Sequence, residues 1–131
     1  MKKTGVINKE IAEVIASMGH GDMLVVSDAG LAIPNNIRRI DVSIRPGSPE
    51  VLDLVRVIQE ELQVESILVP EKINQYCPHI LDELKKIFPD IKIQEVATDV
   101  YVEHAYQSKA IIRTGECTAF ANVILVAGVI F

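Results

Sequence analysis

The last nine residues of the chain, "VILVAGVIF", form an uninterrupted run of apolar and small side chains. A membrane-spanning helix needs about 20 such residues, so this run is too short to cross a bilayer. A strand without polar alternation has both of its faces covered. We therefore predict that residues 123–131 form a strand buried on both sides, within the fold or against another subunit.

Strand and helix signals alternate along the rest of the chain. Helix-type apolar spacing follows residues 8, 50 and 78, and a weaker helical pattern covers residues 99–108. Between these segments lie apolar stretches of strand length: residues 23–27, "IRRIDVSI", "SILVP", "IKIQEV" and "AIIRT". Because helices that separate strands act as crossover connections, the alternation predicts a three-layer α/β fold. It has a mostly parallel central sheet with helices on both faces.

Three adjacent residues mark the expected start of the second long helix. Ser48 is a favoured capping residue, Pro49 fits the first turn, and the Glu50 carboxylate complements the helix dipole. We therefore expect this helix to begin directly after Ser48.

The size and charge of the chain narrow its class. A length of 131 residues suits one domain, residues 1–131, with a substantial core. The net charge of -5 and the lack of a basic cluster argue against nucleic acid or an anionic membrane as a partner. No apolar segment follows the first lysines, so we expect no secretory leader. The two cysteines, Cys77 and Cys117, are expected to be free thiols of a cytoplasmic protein.

The sequence lacks the spacings typical of metal and phosphate sites. Its three histidines, His20, His79 and His104, are far apart and form no metal-binding motif. The segment "GHGDM" has neither the glycine spacing nor the lysine of a phosphate-binding loop. We therefore predict neither a metal site nor a phosphate-binding loop.

The apolar strand at residues 23–27 is flanked by two titratable side chains, His20 and Asp28. An imidazole can transfer protons near neutral pH, and Gly19 and Gly21 limit the bulk around it. A carboxylate just beyond a strand lies where ligands gather in open α/β sheets. Structural roles explain the two residues at least as well: His20 would lie in a solvated turn, and Asp28 would cap a loop.

A second group of polar residues follows the strand "AIIRT". The segments "IRTGE" and "TAFAN" contain Arg113, Glu116 and Asn122. An asparagine side chain both donates and accepts hydrogen bonds, which suits it to a polyol ligand. For Arg113 and Glu116, a structural ion pair is the more common explanation.

The motifs "GHGD", "SDAGLAIP" and "IRTGECTAFANVIL" together resemble the D-ribose pyranase (RbsD/FucU) family of sugar mutarotases. The resemblance extends over essentially the whole chain. It implies an RbsD-like fold and a cofactor-free isomerase that interconverts the pyranose and furanose forms of ribose, or anomers of related sugars. Sugar ring opening needs proton transfer to the ring oxygen and from the anomeric hydroxyl. The resemblance implies that His20 is the general acid.

The resemblance also implies the sugar ligands and the assembly. Asp28 and Asn122 correspond to sugar-binding residues, and Phe120 and Ala121 fall in the segment where the family's tyrosine and asparagine contact the sugar. Thr98 stands where the family usually has a sugar-binding histidine. The implied partners are a monosaccharide such as ribose and further copies of the same chain. The copies would form pentameric rings stacked into decamers, with sites between neighbouring subunits.

The chain departs from the family pattern beside the expected site. Thr98 lacks the imidazole, Val100 and Val102 replace an acid and a lysine, Phe120 lacks the tyrosine hydroxyl, and Ala32 replaces a proline. The more apolar segment after Thr98 is expected to pack against the sheet, or alternatively against another subunit. These changes leave three alternatives: a ribose pyranase with reduced activity, a fucose-type mutarotase, or a catalytically impaired or redesigned ring that binds sugar or serves as a scaffold.

Overall fold

The alternating segments form one sheet of six strands with helices on both faces, in a computed structural model that describes residues 1–131. The strands are β1 (Met23–Ser27), β2 (Arg39–Asp41), β3 (Val64–Pro70), β4 (Lys92–Val96), β5 (Ala110–Arg113) and β6 (Val123–Ala127). The helices are α1 (Lys9–Ser17), α2 (Val51–Gln59), α3 (Ile73–Tyr76), α4 (Pro78–Ile87) and α5 (Thr98–Ala105). None of them has both the length and the apolar character needed to cross a membrane.

The strand order is β2-β5-β1-β6-β3-β4, and five of the six strands run in the same direction. The exception is β6, which lies antiparallel between β1 and β3. In this position β6 is hydrogen-bonded to a strand at each edge, and its side chains pack in the core on both faces of the sheet. The predicted mostly parallel α/β architecture is therefore confirmed, with one reversed strand near its centre.

The apolar run at the end of the chain is only partly a strand. β6 ends at Ala127, and the Gly128 amide then donates to the Gln63 carbonyl, just before β3 begins. Beyond this point no neighbouring strand remains to pair with. Residues Ile130 and Phe131 are accordingly 87% and 99% exposed, so the prediction of one strand through Phe131 was wrong for its second half.

The two faces of the sheet are covered unequally. Helices α1, α2, α3 and α4 pack on one face around a core of 27 buried residues. On the other face, only eight buried residues form the core, among them Tyr101 and Ala105 of α5, with Ile33 and Ile37 from the β1–β2 loop. The packing of α5 against the sheet agrees with the expectation. The thinner layer leaves room for a cavity at its edge.

Helix α2 begins two residues later than expected. Its capping residue is Glu50, whose backbone amide donates to Asp53 Oδ2 at 3.0 Å. Ser48 instead belongs to a tight turn in which its amide donates to the Arg45 carbonyl at 3.0 Å. The reason is a distant segment: Gly115 accepts from the Gly47 amide at 2.6 Å and donates to the Pro49 carbonyl at 2.9 Å.

The close approach at Gly115 gives a stability prediction. A Cβ atom added there would overlap the backbone carbonyl oxygens of Arg45 and Ser48, which cannot move aside as a flexible side chain can. We expect Gly115→Ala to lower the free energy of unfolding by about 1–3 kcal/mol, measured by urea denaturation. Gly19→Ala is the matched control, because its new methyl group would meet only Asp22 Oδ2 at 3.9 Å. Equal stability of both variants would contradict the prediction.

Candidate active site

A cavity of about 600 Å³ opens at the carboxyl edge of the parallel strands, on the thinly covered side of the sheet. Its walls come from the β1–β2 loop (residues 28–32), the β5–β6 loop (residues 116–120 and Asn122), the face of α5 towards the sheet, and Pro70 at the end of β3. This is the usual position of ligand sites in open α/β sheets. The volume is also in the usual range for small-molecule pockets.

Asp28 and Asn122 form a reciprocal pair at the bottom of this cavity. The Asp28 amide donates to Asn122 Oδ1 at 3.0 Å, and Asn122 Nδ2 donates to Asp28 Oδ2 at 2.8 Å. The Gly30 amide donates to the other carboxylate oxygen at 2.9 Å. Both side chains are buried, and their remaining donor and acceptor positions are available to a ligand. The structure thus brings together two residues that the sequence analysis singled out 94 positions apart.

The β5–β6 loop is held by buried polar contacts. Thr114 Oγ1 donates to the Ser27 carbonyl at 2.7 Å, and Glu116 Oε1 accepts from the Thr118 amide at 3.1 Å. The Ala29 amide donates to the Glu116 carbonyl at 2.8 Å. Glu116 therefore lines the cavity as a second buried carboxylate, although the sequence analysis had favoured a structural ion pair for it.

Arg113 has a structural role, but its partner is not Glu116. Its guanidinium donates to Asp41 Oδ2 at 3.0 Å, to Ser43 Oγ at 2.8 Å and to the Ala29 carbonyl at 3.1 Å. The Ser43 hydroxyl, with support from Arg113, holds the pKa of Asp41 below its usual value. Arg113 thereby fixes the β1–β2 loop from outside the cavity.

Phe120 and Ala121 have different environments. Phe120 adopts a left-handed backbone conformation, with φ of 64°. Its ring contacts Tyr76 at a centroid distance of 4.8 Å, and Lys72 Nζ lies 5.1 Å from the ring centroid. Phe120 lines the cavity, whereas the Ala121 side chain is fully buried in the larger core and lies outside the lining.

Helix α5 supplies the remaining wall. Thr98, Tyr101 and Val102 share one face of the helix at positions i, i+3 and i+4, and all three line the cavity. Tyr101 is a cavity residue that the sequence analysis missed. Its spacing from Thr98 was the available signal, but the same spacing is typical of core packing.

His20 lies at the opposite edge of the sheet. β1 separates it from Asp28, and a five-residue strand spans about 16 Å. The His20 side chain is 63% exposed, and its Nε2 atom lies 2.9 Å from Glu65 Oε2. His79 is exposed and His104 is half-buried, and neither lines the cavity. No three His, Cys, Asp or Glu side chains converge to a metal-binding group.

The two cysteines are free thiols in unlike surroundings. Cys77 is fully buried behind the cavity, with Sγ 3.6 Å from the Ala119 carbonyl oxygen. Burial raises the pKa of the Cys77 thiol to about 11, and the charges of Glu116 and Asp28 add to this effect. Cys117 is exposed at the cavity wall.

The fold and the site define an α/β protein with a small-molecule pocket whose buried carboxylate and amide suit a hydroxyl-rich ligand. The profile of the RbsD / FucU transport protein family matches residues 1–130, and the chain belongs to this family. It is 48% identical to the D-ribose pyranase of Chloroflexus aggregans and 44% identical to that of Symbiobacterium thermophilum, over all 131 residues and the full length of both. Its fold matches the structure of Bacillus subtilis RbsD complexed with D-ribose with a TM-score of 0.96, at 37% identity and complete coverage of both chains.

The contrast between the thiols gives a prediction about reactivity. At pH 8 only about one thousandth of Cys77 is thiolate, the reactive form, given a pKa of about 11. We expect Ellman's reagent to label one thiol per folded chain, namely Cys117, and both thiols in guanidinium chloride. Cys117→Ser should abolish the rapid reaction, whereas Cys77→Ser should preserve it. Rapid labelling of two thiols in the folded protein would contradict the burial of Cys77.

Proposed function

We propose that this protein is a D-ribose pyranase, a cofactor-free mutarotase that interconverts the pyranose and furanose forms of ribose. The observation that carries the proposal is the full-length match to RbsD complexed with D-ribose, at a TM-score of 0.96. The 48% identity to a D-ribose pyranase supports it. The buried Asp28–Asn122 pair provides what a sugar needs, because it offers both acceptors and a donor in a cavity of suitable size.

The cavity residues have separate proposed roles in binding. Asp28 accepts hydrogen bonds from sugar hydroxyls through its remaining lone pairs, and Asn122 has one free N–H group and one free lone pair. Thr98 provides a hydroxyl, and the Phe120 ring provides an apolar surface. Ala121 contributes only its backbone, because its side chain faces the larger core.

The reaction requires two proton transfers at each ring opening. In the pyranose, the bond from C1 to the ring oxygen breaks, the ring oxygen gains a proton, and the anomeric hydroxyl loses one. The open-chain aldehyde then closes through the C4 hydroxyl, which loses its proton while the carbonyl oxygen gains one. No oxidant or reductant is needed. We assign the transfer of the proton to the ring oxygen to His20, because imidazole can act as acid and base near neutral pH.

His20 acts in this proposal on the cavity of a neighbouring copy. It lies at the opposite edge of the sheet from its own cavity and is exposed, and Glu65 orients its ring. The apolar end of the chain lies beside it, since the Gly21 amide donates to the Ala127 carbonyl at 2.8 Å. A contact between opposite edges of two copies is head-to-tail, and such contacts form a ring when the rotation between successive copies closes. We propose rings of five that stack into decamers, as the family resemblance implies, in the cytoplasm, where free thiols are expected.

The proposal predicts sugar exchange that depends on His20. Magnetization-transfer NMR on D-ribose should show faster pyranose–furanose exchange with the protein present. His20→Ala should reduce the enzymatic rate at least 100-fold, the usual scale for loss of a general acid or base. His79→Ala, the control at an exposed histidine outside the cavity, should leave the rate unchanged. Acceleration of L-fucose exchange alone would favour the fucose-type mutarotase, and no acceleration of either sugar by an assembled protein would indicate an inactive ring.

Sharing of the site between copies predicts complementation. His20→Ala and Asp28→Asn chains should each be nearly inactive alone. In a statistical one-to-one mixture, roughly a quarter of the sites combine an intact His20 with an intact Asp28 from the next copy. Co-expressed chains should therefore recover about that fraction of the wild-type exchange rate. If the mixture stays as inactive as the separate variants, the two residues act within one chain and the shared site is wrong.

A further inference from the structure

The phenol of Tyr101 is a buried polar group without a partner. Tyr101 is 1% exposed and lines the cavity, and its Oη atom forms no hydrogen bond within the chain. Its ring packs in the smaller core with Ile111 and Ile124, where a phenylalanine would make the same apolar contacts. Buried tyrosine hydroxyls usually have a partner, because an unsatisfied donor loses its bond to water without replacement. Apolar packing therefore accounts for the ring of Tyr101 but not for its hydroxyl group.

A second unpartnered hydroxyl lies on the same face of α5. Thr98 Oγ1 is also buried without a hydrogen bond, and Thr98 precedes Tyr101 by three residues, so the two side chains are neighbours on the helix. Burial, with a contribution from the charge of Asp28, raises the pKa of Tyr101 well above its usual value. The phenol is thus a neutral hydrogen-bond donor at physiological pH.

We infer that Tyr101 Oη donates a hydrogen bond to an oxygen of the bound sugar and forms, together with Thr98 Oγ1, a neutral hydroxyl subsite on the α5 wall. The inference rests on the proposed function and names a sugar-binding residue in addition to Asp28 and Asn122. The ligand is a monosaccharide whose oxygen replaces the missing partner. The subsite contains no charged group, so the α5 wall recognizes the sugar by direction of hydrogen bonding rather than by charge.

Tyr101→Phe tests the inference because it removes one oxygen atom and leaves the ring. In the sugar-free protein the hydroxyl has no partner, so the variant should unfold at the same urea concentration as the wild type, or a higher one. Its affinity for D-ribose should fall about 5- to 20-fold, the loss expected for one hydrogen bond in a closed site. Isothermal titration calorimetry of the assembled protein with D-ribose measures this change in affinity.

Tyr106→Phe, at the residue that caps the C-terminus of α5, is the matched control. Its hydroxyl already donates to the Ala32 carbonyl at 3.0 Å. This variant should therefore unfold at a lower urea concentration and bind D-ribose within about twofold of the wild type. The two tyrosines are thus expected to show opposite patterns in stability and affinity.

Three outcomes would decide against the inference. Unchanged ribose affinity in Tyr101→Phe, with a wild type that binds ribose, would overturn the subsite and leave the proposed function intact. A clear loss of stability in sugar-free Tyr101→Phe would show that the hydroxyl has a partner inside the protein. A wild type that binds neither D-ribose nor L-fucose would overturn the proposed function, and the inference with it.

Discussion

The reversed direction of β6 is the constraint on which the site depends. β6 lies between β1 and β3 and runs against both, so its first residue lies at the edge where its neighbours end. The residue before the strand, Asn122, therefore meets Asp28, the residue after β1. A parallel β6 would have placed Asn122 at the far edge of the sheet. One strand direction thus converts two distant loops into the walls of one cavity.

The same geometry separates His20 from the cavity. Because His20 precedes β1 and Asp28 follows it, the strand itself holds the two side chains apart. No loop movement within the chain overcomes a separation of about 16 Å along a paired, buried strand. A mechanism that needs both groups therefore needs two copies. The exposure of His20 and of the apolar residues that follow Ala127 suits that arrangement.

The parts of the structure that depend on local pattern were predictable from the sequence. The layers and the strand at residues 23–27 followed from apolar periodicity. Asp28 was singled out by its position after a strand, and Asn122 by its amide, which both donates and accepts hydrogen bonds. The direction of β6 was not predictable, because an all-apolar run carries no signal for direction. The start of α2 was missed because Gly115, far along the chain, holds the preceding turn. Tyr101 was missed because helical spacing alone does not distinguish core from cavity.

The two walls of the cavity are secured in different ways. The loops that carry Asp28 and Glu116 are fastened through backbone amides and carbonyls, so a substitution there disturbs bonds that hold neighbouring segments. The α5 wall is held mainly by apolar packing, and the buried hydroxyls of its lining residues Thr98 and Tyr101 bond to nothing in the chain. The hydroxyl groups of Thr98 and Tyr101 can therefore be removed at little cost to folding, provided that the apolar packing of α5 is kept. In this architecture, substitutions on one helix can change the sugar preference while the loops of the opposite wall stay unchanged.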